Sequence, residues 1–285
     1  MSKICKSLDL NKLYEQQAKG KLLKKVLKFP LIAQIKYDGN YVVVRIEDGR
    51  RLFTTSGGHT YTHTDNGASC FAKAIDGVYL AERIAGEGKL GDRVRCNLRG
   101  PKSAQTSTGH CYRVFDMIDL EDYDKGSTTI TFLSRYTGLR QSSVAESSIV
   151  ECKQISNKEE LDDYLREVVD LGYEGLMLYQ PDFKWRDTKS RTIDLAKYKK
   201  RRTADLLCIS TTEGEGKYEG LLGSLVLRDS AGIVCSVGSG LSDYDRNCPG
   251  CHFVGKIIEI EYEQIIDSYI QPTFIRIRED KEEED

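Results

Sequence analysis

The sequence predicts an α+β domain built around antiparallel sheet, followed by a small β-barrel. Between residues 41 and 118, short runs of β-branched and aromatic residues alternate with glycine or charged turns, which is typical of antiparallel strands. A strongly helical segment occupies residues 156–172. After residue 203 the helical signals stop and five short strand-like runs follow, which favours a barrel such as an OB-fold.

The first domain opens with a helical pattern over residues 11–28. Its later lysines recur at helical spacing and form either a solvated face or a stripe that faces phosphate. The strand-like runs are YVVVRI at 41–46, RLFTTS at 51–56, GVYLAERI at 77–84, CYRVFDMI at 111–118, YEGLMLYQ at 173–180 and TIDLAKYKK at 192–200. In the helix at 156–172, Ser156 is the expected N-cap, Glu159 its capping-box partner and Gly172 the stop.

The barrel is predicted from five runs and gives a two-domain chain. They are ADLLCISTT at 204–212, GSLVLRD at 223–229, GIVCSVGSG at 232–240, KIIEIEYEQI at 256–265 and TFIRIRED at 273–280. We therefore expect one domain over residues 1–201 and a second over residues 202–285.

The composition predicts a cytoplasmic globular protein that does not bind a membrane. Charged residues make up 30% and hydrophobic ones 39%, and no window approaches the roughly 20 apolar residues of a membrane span. The nine cysteines, an odd number without a secretion signal, indicate reduced thiols. CPGCH at 248–252 spells a haem-attachment pattern, but we interpret it as a polar loop with free thiols.

The charge is unevenly distributed, although the formal net charge is only -2. Residues 184–202 contain nine Lys or Arg and two Asp, a local net charge of +7, whereas residues 279–285 contain six acids and one lysine, a net charge of -5. A local basic run of this kind is a candidate contact for nucleic acid.

The stretch KYDG places Lys36 at the end of a strand, where it is a candidate nucleophile. Lysine is mostly protonated at neutral pH because its ordinary pKa is about 10.4, so burial or a nearby cation must free the amine. Alone, the pattern is weak. Glu82, Phe115 and Glu174 lie in other strand-like runs, and Lys197 and Lys199 share one strand face. Together these residues suit nucleotidyl transfer, although each alone also fits a structural role.

The ordered motifs resemble those of the ATP-dependent DNA ligases, which belong to the covalent nucleotidyltransferases. They are KYDG at 36–39, AER at 81–83, YRVFD at 112–116, YEGLML at 173–178, LAKYK at 195–199, the glycine-rich segment at 220–246 and PTFIRIREDK at 272–281. The resemblance implies an adenylyltransferase domain followed by an OB-fold domain, and it covers nearly the whole chain.

The resemblance also implies roles for residues around the nucleophile. Lys36 would attack the α-phosphate of ATP, release pyrophosphate and hold AMP. Asp38 would serve the ribose and later the nick. Gln34 would read the adenine edge, where the family often has glutamate. Ile35 would line the nucleotide site, and Phe115 would stack on adenine.

Further implied roles concern charge. Glu82 would serve the ribose side and the metal, and Glu174 would bind the metal, expected to be Mg²⁺ with Mn²⁺ as a substitute. Lys197 and Lys199 would stabilise the α-phosphate and lower the pKa of Lys36.

The C-terminal motif would close over ATP and orient the leaving pyrophosphate. Its implied catalytic residues are Arg276, Arg278, Asp280 and Lys281. For these to act the barrel must swing onto the nucleotide, so we expect a hinge near residues 200–203.

The resemblance implies that AMP passes to the 5'-phosphate of a nick and that the 3'-hydroxyl then expels it. The expected partner is nicked duplex DNA, in replication, repair and recombination, and a monomer suffices. The glycine-rich residues 87–108 could form a loop that encircles DNA or a plain hairpin connection.

Two positions depart from the family pattern. Tyr41 and Thr55 stand where DNA ligases usually carry arginine, and Arg45, which shares the strand parity of Tyr41, is a candidate substitute. These departures leave an ATP-dependent RNA ligase as an alternative function. A capping enzyme would need selectivity for GTP. A non-catalytic nucleic-acid-binding module would explain the basic run but not the lysine and carboxylates.

Overall fold

Antiparallel sheet dominates the structure, as the β-branched and aromatic runs predict. The structure is a computed structural model that describes residues 3–18, 27–61, 66–89, 110–265 and 267–281. The chain forms two compact units, Met1–Lys200 and Arg201–Asp285. The α+β prediction is confirmed, because helices cover the sheets of the first unit and the second is mainly strand.

The described residues of the first unit form strands and helices in the following order. The strands are β1 (Cys5–Asp9), β2 (Leu31–Lys36), β3 (Asn40–Glu47), β4 (Arg50–Thr55), β5 (Thr60–Tyr61), β6 (Gly77–Ala85), β7 (His110–Ile118), β8 (Ser127–Thr131), β9 (Lys153–Ile155), β10 (Gly175–Tyr179), β11 (Lys184–Arg186) and β12 (Thr188–Lys199). The helices are α1 (Leu10–Ala18), α2 (Leu120–Lys125), α3 (Phe132–Gln141) and α4 (Lys158–Asp170).

Two five-stranded sheets organise this unit. Sheet 1 has the order β1-β12-β10-β2-β9 and sheet 2 the order β5-β4-β3-β6-β7. Ile32 and Leu195 of sheet 1 pack with Val43 and Leu80 of sheet 2 in one buried cluster between the sheets. Because strand side chains alternate, the residues at 34 and 36 of β2 face the same layer as Ile32. The inter-sheet layer therefore receives the nucleophile motif.

The outer faces of the sheets are covered by helices. Leu176 of sheet 1 packs with Leu161 and Leu165 of α4, which lie one helical turn apart on the same face. On sheet 2, Val114 of β7 packs with Leu139 of α3 in a separate buried cluster. Each sheet therefore has two apolar faces.

Both helix predictions need adjustment at their ends. Asn157, not Ser156, caps α4: its side chain accepts from the Glu160 amide at 2.8 Å, and the Glu160 carboxylate accepts from the Ser156 amide at 2.8 Å. Gly172 follows the helix with a φ of 93°, as predicted for a stop. The first helix spans Leu10–Ala18, and most of the predicted lysine stripe lies in residues 19–26, outside the described residues.

The second unit is a small barrel. Its strands are β13 (Arg202–Glu213), β14 (Leu222–Arg228), β15 (Val234–Val237), β16 (Ile257–Tyr262), β17 (Gln264–Ile265), β18 (Tyr269–Ile270) and β19 (Thr273–Ile277), and its helix is α5 (Asp243–Asn247). The main sheet has the order β15-β14-β13-β16-β19. The Phe274 amide donates to the Ser239 carbonyl at 2.8 Å, which joins the segment after β15 to β19. The expectation of no helix after residue 203 is wrong, because Ser242 and Asp245 form a capping box that starts α5.

Candidate active site

Glu174 lies between two of the predicted site lysines. Lys36 ends β2 and is paired in register with Gly175 of β10, which is also paired with Lys199 of β12. The Glu174 carboxylate therefore reaches both lysines. Its Oε2 accepts from the Lys36 ammonium, and its Oε1 pairs with Lys199. The side chain of Glu174 is 7% exposed. Burial opposes its ionisation, but the charges of the two lysines lower its pKa overall.

Replacing Glu174 with glutamine is expected to destabilise the protein by about 3 kcal/mol at neutral pH, because two lysines lose a buried counter-charge. Since the pKa of Glu174 is lowered in the folded state, its contribution is complete above the ordinary value of about 4.3 and is lost as the pH falls through the folded value. Denaturant titrations of both proteins at several pH values measure this difference.

The matched control is Glu167→Gln, whose exposed carboxylate lies 3.9 Å from Lys153 and should contribute less than about 1 kcal/mol. A stability difference for Glu174→Gln that stays undiminished at about pH 3 would contradict the expectation.

Lys197 extends the basic side of this cluster. It lies two residues before Lys199 on the same face of β12, and its Nζ is 3.7 Å from Asp9 Oδ2 on β1. Burial and the charge of Lys199 lower the pKa of Lys197, Asp9 raises it, and Lys36 lowers it further. The expected grouping of Lys36, Glu174 and the two β12 lysines is therefore present.

A cavity of about 220 Å³ between the sheets adjoins Lys36. Of the predicted nucleotide residues it is lined by Gln34, Ile35, Lys36, Glu82 and Phe115. Other predicted residues, namely Asp38, Glu174, Lys197 and Lys199, do not line it. The cavity is mostly apolar with a few polar groups, which is typical of a small-molecule site.

Gln34, which lines this cavity, has a hydrogen-bond acceptor without a partner in the described ranges. Its side chain is 1% exposed, and its amide Nε2 donates to the carbonyls of Phe115 at 3.2 Å and Val150 at 3.4 Å. The Oε1 atom is buried and has no hydrogen-bond partner among the described residues. A buried acceptor without a partner is unfavourable, so this atom fits a ligand that brings a donor.

The sequence did not single out Met177, which lines the cavity, or Arg113, which is the neighbour of Glu82. Met177 lines the cavity from sheet 1, whereas Phe115 lines it from sheet 2, so a planar group would have a side chain on either side. The alternation on β10 that places Met177 on the face of Tyr179 could have revealed it. Arg113 is paired in register with Glu82, and its guanidinium lies 5.4 Å from the ring of Tyr37.

The two departures from the family pattern lie in neighbouring strands. The partly buried ring of Tyr41 is 6.1 Å from that of Phe115, and Thr55 of β4 is paired with Val42. Arg45 is bound by Asp124, at 2.7 and 2.9 Å, and by Glu47 at 2.9 Å. The substitution of Arg45 for a site arginine is therefore not supported.

Gly39 is required by close packing. A Cβ atom there would lie 2.9 Å from Glu82 Cγ and would collide with the carbonyl oxygen of Arg83 on β6. The preceding amide, that of Asp38, donates to the Gly88 carbonyl at 3.0 Å. The predicted loop at 87–108 lies mainly outside the described residues, which resume at His110.

The four predicted residues of the C-terminal motif lie in the second unit. Arg276 Nε donates to Glu259 at 2.6 Å. Arg278 donates to Asp280 at 2.8 and 2.7 Å and to Asp205 at 2.7 Å. Lys281 Nζ lies 2.6 Å from the same Asp205 carboxylate.

Three further observations concern metal ligands, thiols and membrane spans. Within the described ranges, no cluster of three or more His, Cys, Asp or Glu side chains is arranged to hold a metal ion. Cys248 and Cys251 of the CPGCH segment are free thiols, as predicted. No helix in the described part of the chain is both long and apolar enough to span a membrane.

The family follows from comparison with known proteins. The model of the ATP dependent DNA ligase domain matches residues 13–199, and that of the DNA ligase OB-like domain matches residues 213–278. Because the first match covers more than half of the chain, the chain belongs to the ATP-dependent DNA ligase family. This confirms the resemblance and the OB prediction.

Named relatives agree with this assignment. DNA ligases of Pyrobaculum islandicum and Pyrobaculum calidifontis are each 26% identical over 250 residues, covering 75% of this chain and 40% of the relative. The chain therefore matches less than half the length of these curated relatives.

Two solved structures share the fold. Pmar-Lig_PreS3 matches with a TM-score of 0.77 and 19% identity, covering 96% of this chain and 67% of that chain. A structure from a study of how Lig E DNA ligases bind DNA with a minimal scaffold matches with a TM-score of 0.72 and 20% identity, covering 98% of this chain and 100% of that chain.

Proposed function

We propose that this protein is an ATP-dependent ligase that seals nicks in duplex DNA through AMP bound covalently to Lys36. The observation that carries the proposal is the contact of Lys36 with the buried carboxylate of Glu174, since Lys36 also lines a cavity together with Gln34, whose Oε1 has no partner in the described part of the chain. The adenine amine is a donor of the kind that Gln34 Oε1 lacks. Phe115 and Met177 would hold the two faces of the base.

The first step makes a nitrogen–phosphorus bond on Lys36. Its ammonium must leave Glu174 and give a proton to solvent, and its nitrogen then attacks the α-phosphorus while the bond to pyrophosphate breaks. Lys199 and Lys197 would stabilise the negative charge on the α-phosphate. Ile35 would line the base site, and Asp38 would bind the ribose.

The divalent ion is part of the same proposal. Glu82 and Glu174 would hold Mg²⁺, which near phosphates commonly takes only one or two carboxylates and completes its shell with phosphate oxygens and water. When bound, Mg²⁺ would neutralise charge on the phosphates. Glu174 would have to exchange a lysine contact for the ion.

In the later steps AMP passes from Lys36 to the 5'-phosphate of the nick, and the 3'-hydroxyl attacks that phosphorus and expels AMP. We further propose that residues 1–201 act as the adenylation domain and residues 202–285 as the OB domain, with a hinge at 200–203. Arg276, Arg278, Asp280 and Lys281 would orient the leaving pyrophosphate. A monomer in the cytoplasm is sufficient for this chemistry.

The test offers the protein α-labelled ATP or GTP and then nicked duplex DNA, nicked RNA or single-stranded RNA. We expect covalent label from ATP and sealing of the nicked duplex. Absence of covalent label from both nucleotides would leave only a non-catalytic binding module. Efficient sealing of RNA without sealing of nicked DNA would establish the RNA ligase instead.

Replacement of Gln34 by methionine is expected to raise the KM for ATP about fivefold, since one buried hydrogen bond to the base contributes about 1 kcal/mol. Discrimination against GTP should fall as well, because guanine presents an acceptor where adenine presents its amine. Initial rates of covalent labelling at several nucleotide concentrations measure both. Gln154→Met, at an exposed position of β9, is the control. An unchanged KM in Gln34→Met would remove Gln34 from base recognition.

A further inference from the structure

Asp205 joins two residues of the C-terminal motif. It lies on β13, and its side chain is 6% exposed. A single oxygen, Oδ2, lies 2.7 Å from Arg278 Nη1 and 2.6 Å from Lys281 Nζ. A buried carboxylate is normally compensated by cations, and here both cations come from the motif proposed to orient pyrophosphate.

Arg278 is held from two sides. Asp205 accepts from Nη1, and Asp280 accepts from Nε and Nη2 at 2.8 and 2.7 Å. A guanidinium carries five N–H donors in a rigid plane, so three donors engaged by two carboxylates fix the orientation of that plane. In the hydrogen bonds of the described residues, the other two N–H groups of Arg278 are not used, so they can bind a phosphate.

The geometry thus permits phosphate binding without release of Asp205. An anion that takes the remaining donors of Arg278 leaves both carboxylate contacts in place. Asp205 is therefore arranged as a support for the cations rather than as a competitor for them. Groups held in position before the reaction lower the entropic cost of reaching the transition state.

We propose that Asp205 is a positioning residue that holds Arg278 and Lys281 as a preformed pair for the departing pyrophosphate. The inference rests on the proposed function, and it adds a residue outside the family motifs. It predicts a selective defect, since pyrophosphate leaves only in the first step. Transfer of AMP to DNA and final sealing release no pyrophosphate.

The experiment measures the two ends of the reaction separately in the full chain. In Asp205→Asn, the single-turnover rate of covalent labelling by ATP should fall about 100-fold, whereas sealing of a nick that already carries 5'-AMP should stay within about twofold of wild type. Combined with Arg278→Ala and Lys281→Ala together, Asp205→Asn should add little further slowing, because it acts through these two cations. Additive slowing would contradict that route.

Asp229→Asn is the matched control. Asp229 is also buried in the second unit, but it accepts from Tyr269 Oη at 3.0 Å and from the Ile233 amide at 2.7 Å. Its loss should lower thermal stability without separating the two rates. Asp205→Glu keeps the charge but displaces the cations, so it should also slow labelling selectively and serves if Asp205→Asn does not fold.

Labelling at the wild-type rate in the folded Asp205 variant would overturn the inference while leaving the proposed function intact. Equal slowing of labelling and of sealing would also overturn it, because that result indicates general damage. Absence of label from wild type would refute the proposed function and the inference together.

Discussion

Replacing Lys36 with arginine is expected to reduce covalent labelling by ATP at least about 10,000-fold, to background. Arginine keeps the positive charge opposite Glu174, so the buried pair and the fold should survive. Its guanidinium does not lose a proton near neutral pH and so cannot attack phosphorus. Gel autoradiography after incubation with α-labelled ATP measures the loss.

Lys153→Arg is the matched control for this experiment. Lys153 lies on β9 of the same sheet and is paired with Glu167 at 3.9 Å, away from the cavity-lining residues. The Lys153→Arg variant should be labelled by ATP to the same extent as wild type. Label that persists on Lys36→Arg would identify another nucleophile, which peptide mass spectrometry would locate.

The largest expected effect on stability comes from Arg135→Met, at about 3–5 kcal/mol. Arg135 on α3 is 4% exposed, and its guanidinium donates to the Asp116 carboxylate at 2.9 and 2.8 Å. Its removal leaves Asp116, 2% exposed, as a buried charge without this partner. Fluorescence of Trp185, the single tryptophan, can follow denaturant unfolding of the first unit because it packs in the inter-sheet cluster.

Arg140→Met on the same helix is the comparison. Arg140 pairs with Glu146 at 2.5 Å, but the two side chains are 42% and 78% exposed, so the loss should stay below about 1 kcal/mol. Equal losses of unfolding free energy in Arg135→Met and Arg140→Met would show that burial of the Arg135–Asp116 pair contributes nothing to stability.

Much of the fold follows from local pattern. The run YVVVRI at 41–46 lies within β3 and CYRVFDMI at 111–118 lies within β7, because β-branched and aromatic residues favour strands with little help from context. The error at the start of α4 has an equally local origin. Ser156 and Asn157 are both good caps, and only the observed hydrogen bonds distinguish them.

The composition of the candidate site is less accessible to sequence reasoning. Lys197 and Lys199 could be placed on one face by strand alternation alone. The bridge from Glu174 to Lys36 and Lys199 depends on the register of three strands, of which β2 is distant in sequence from β10 and β12. Asp205 could not be found from its neighbours, since it sits in an ordinary strand pattern and its partners come 73 and 76 residues later.

The glycine of the nucleophile motif has a consequence beyond its own strand. Gly39 has no left-handed φ, and the space that its missing side chain leaves is occupied by Glu82 Cγ and the Arg83 carbonyl. Any larger residue at 39 would collide with the Arg83 carbonyl and displace the Glu82 side chain. The tetrapeptide KYDG therefore specifies two things at once, the nucleophile and the placement of a carboxylate on a different strand. Its glycine allows the chain at the start of β3 to approach β6 closely.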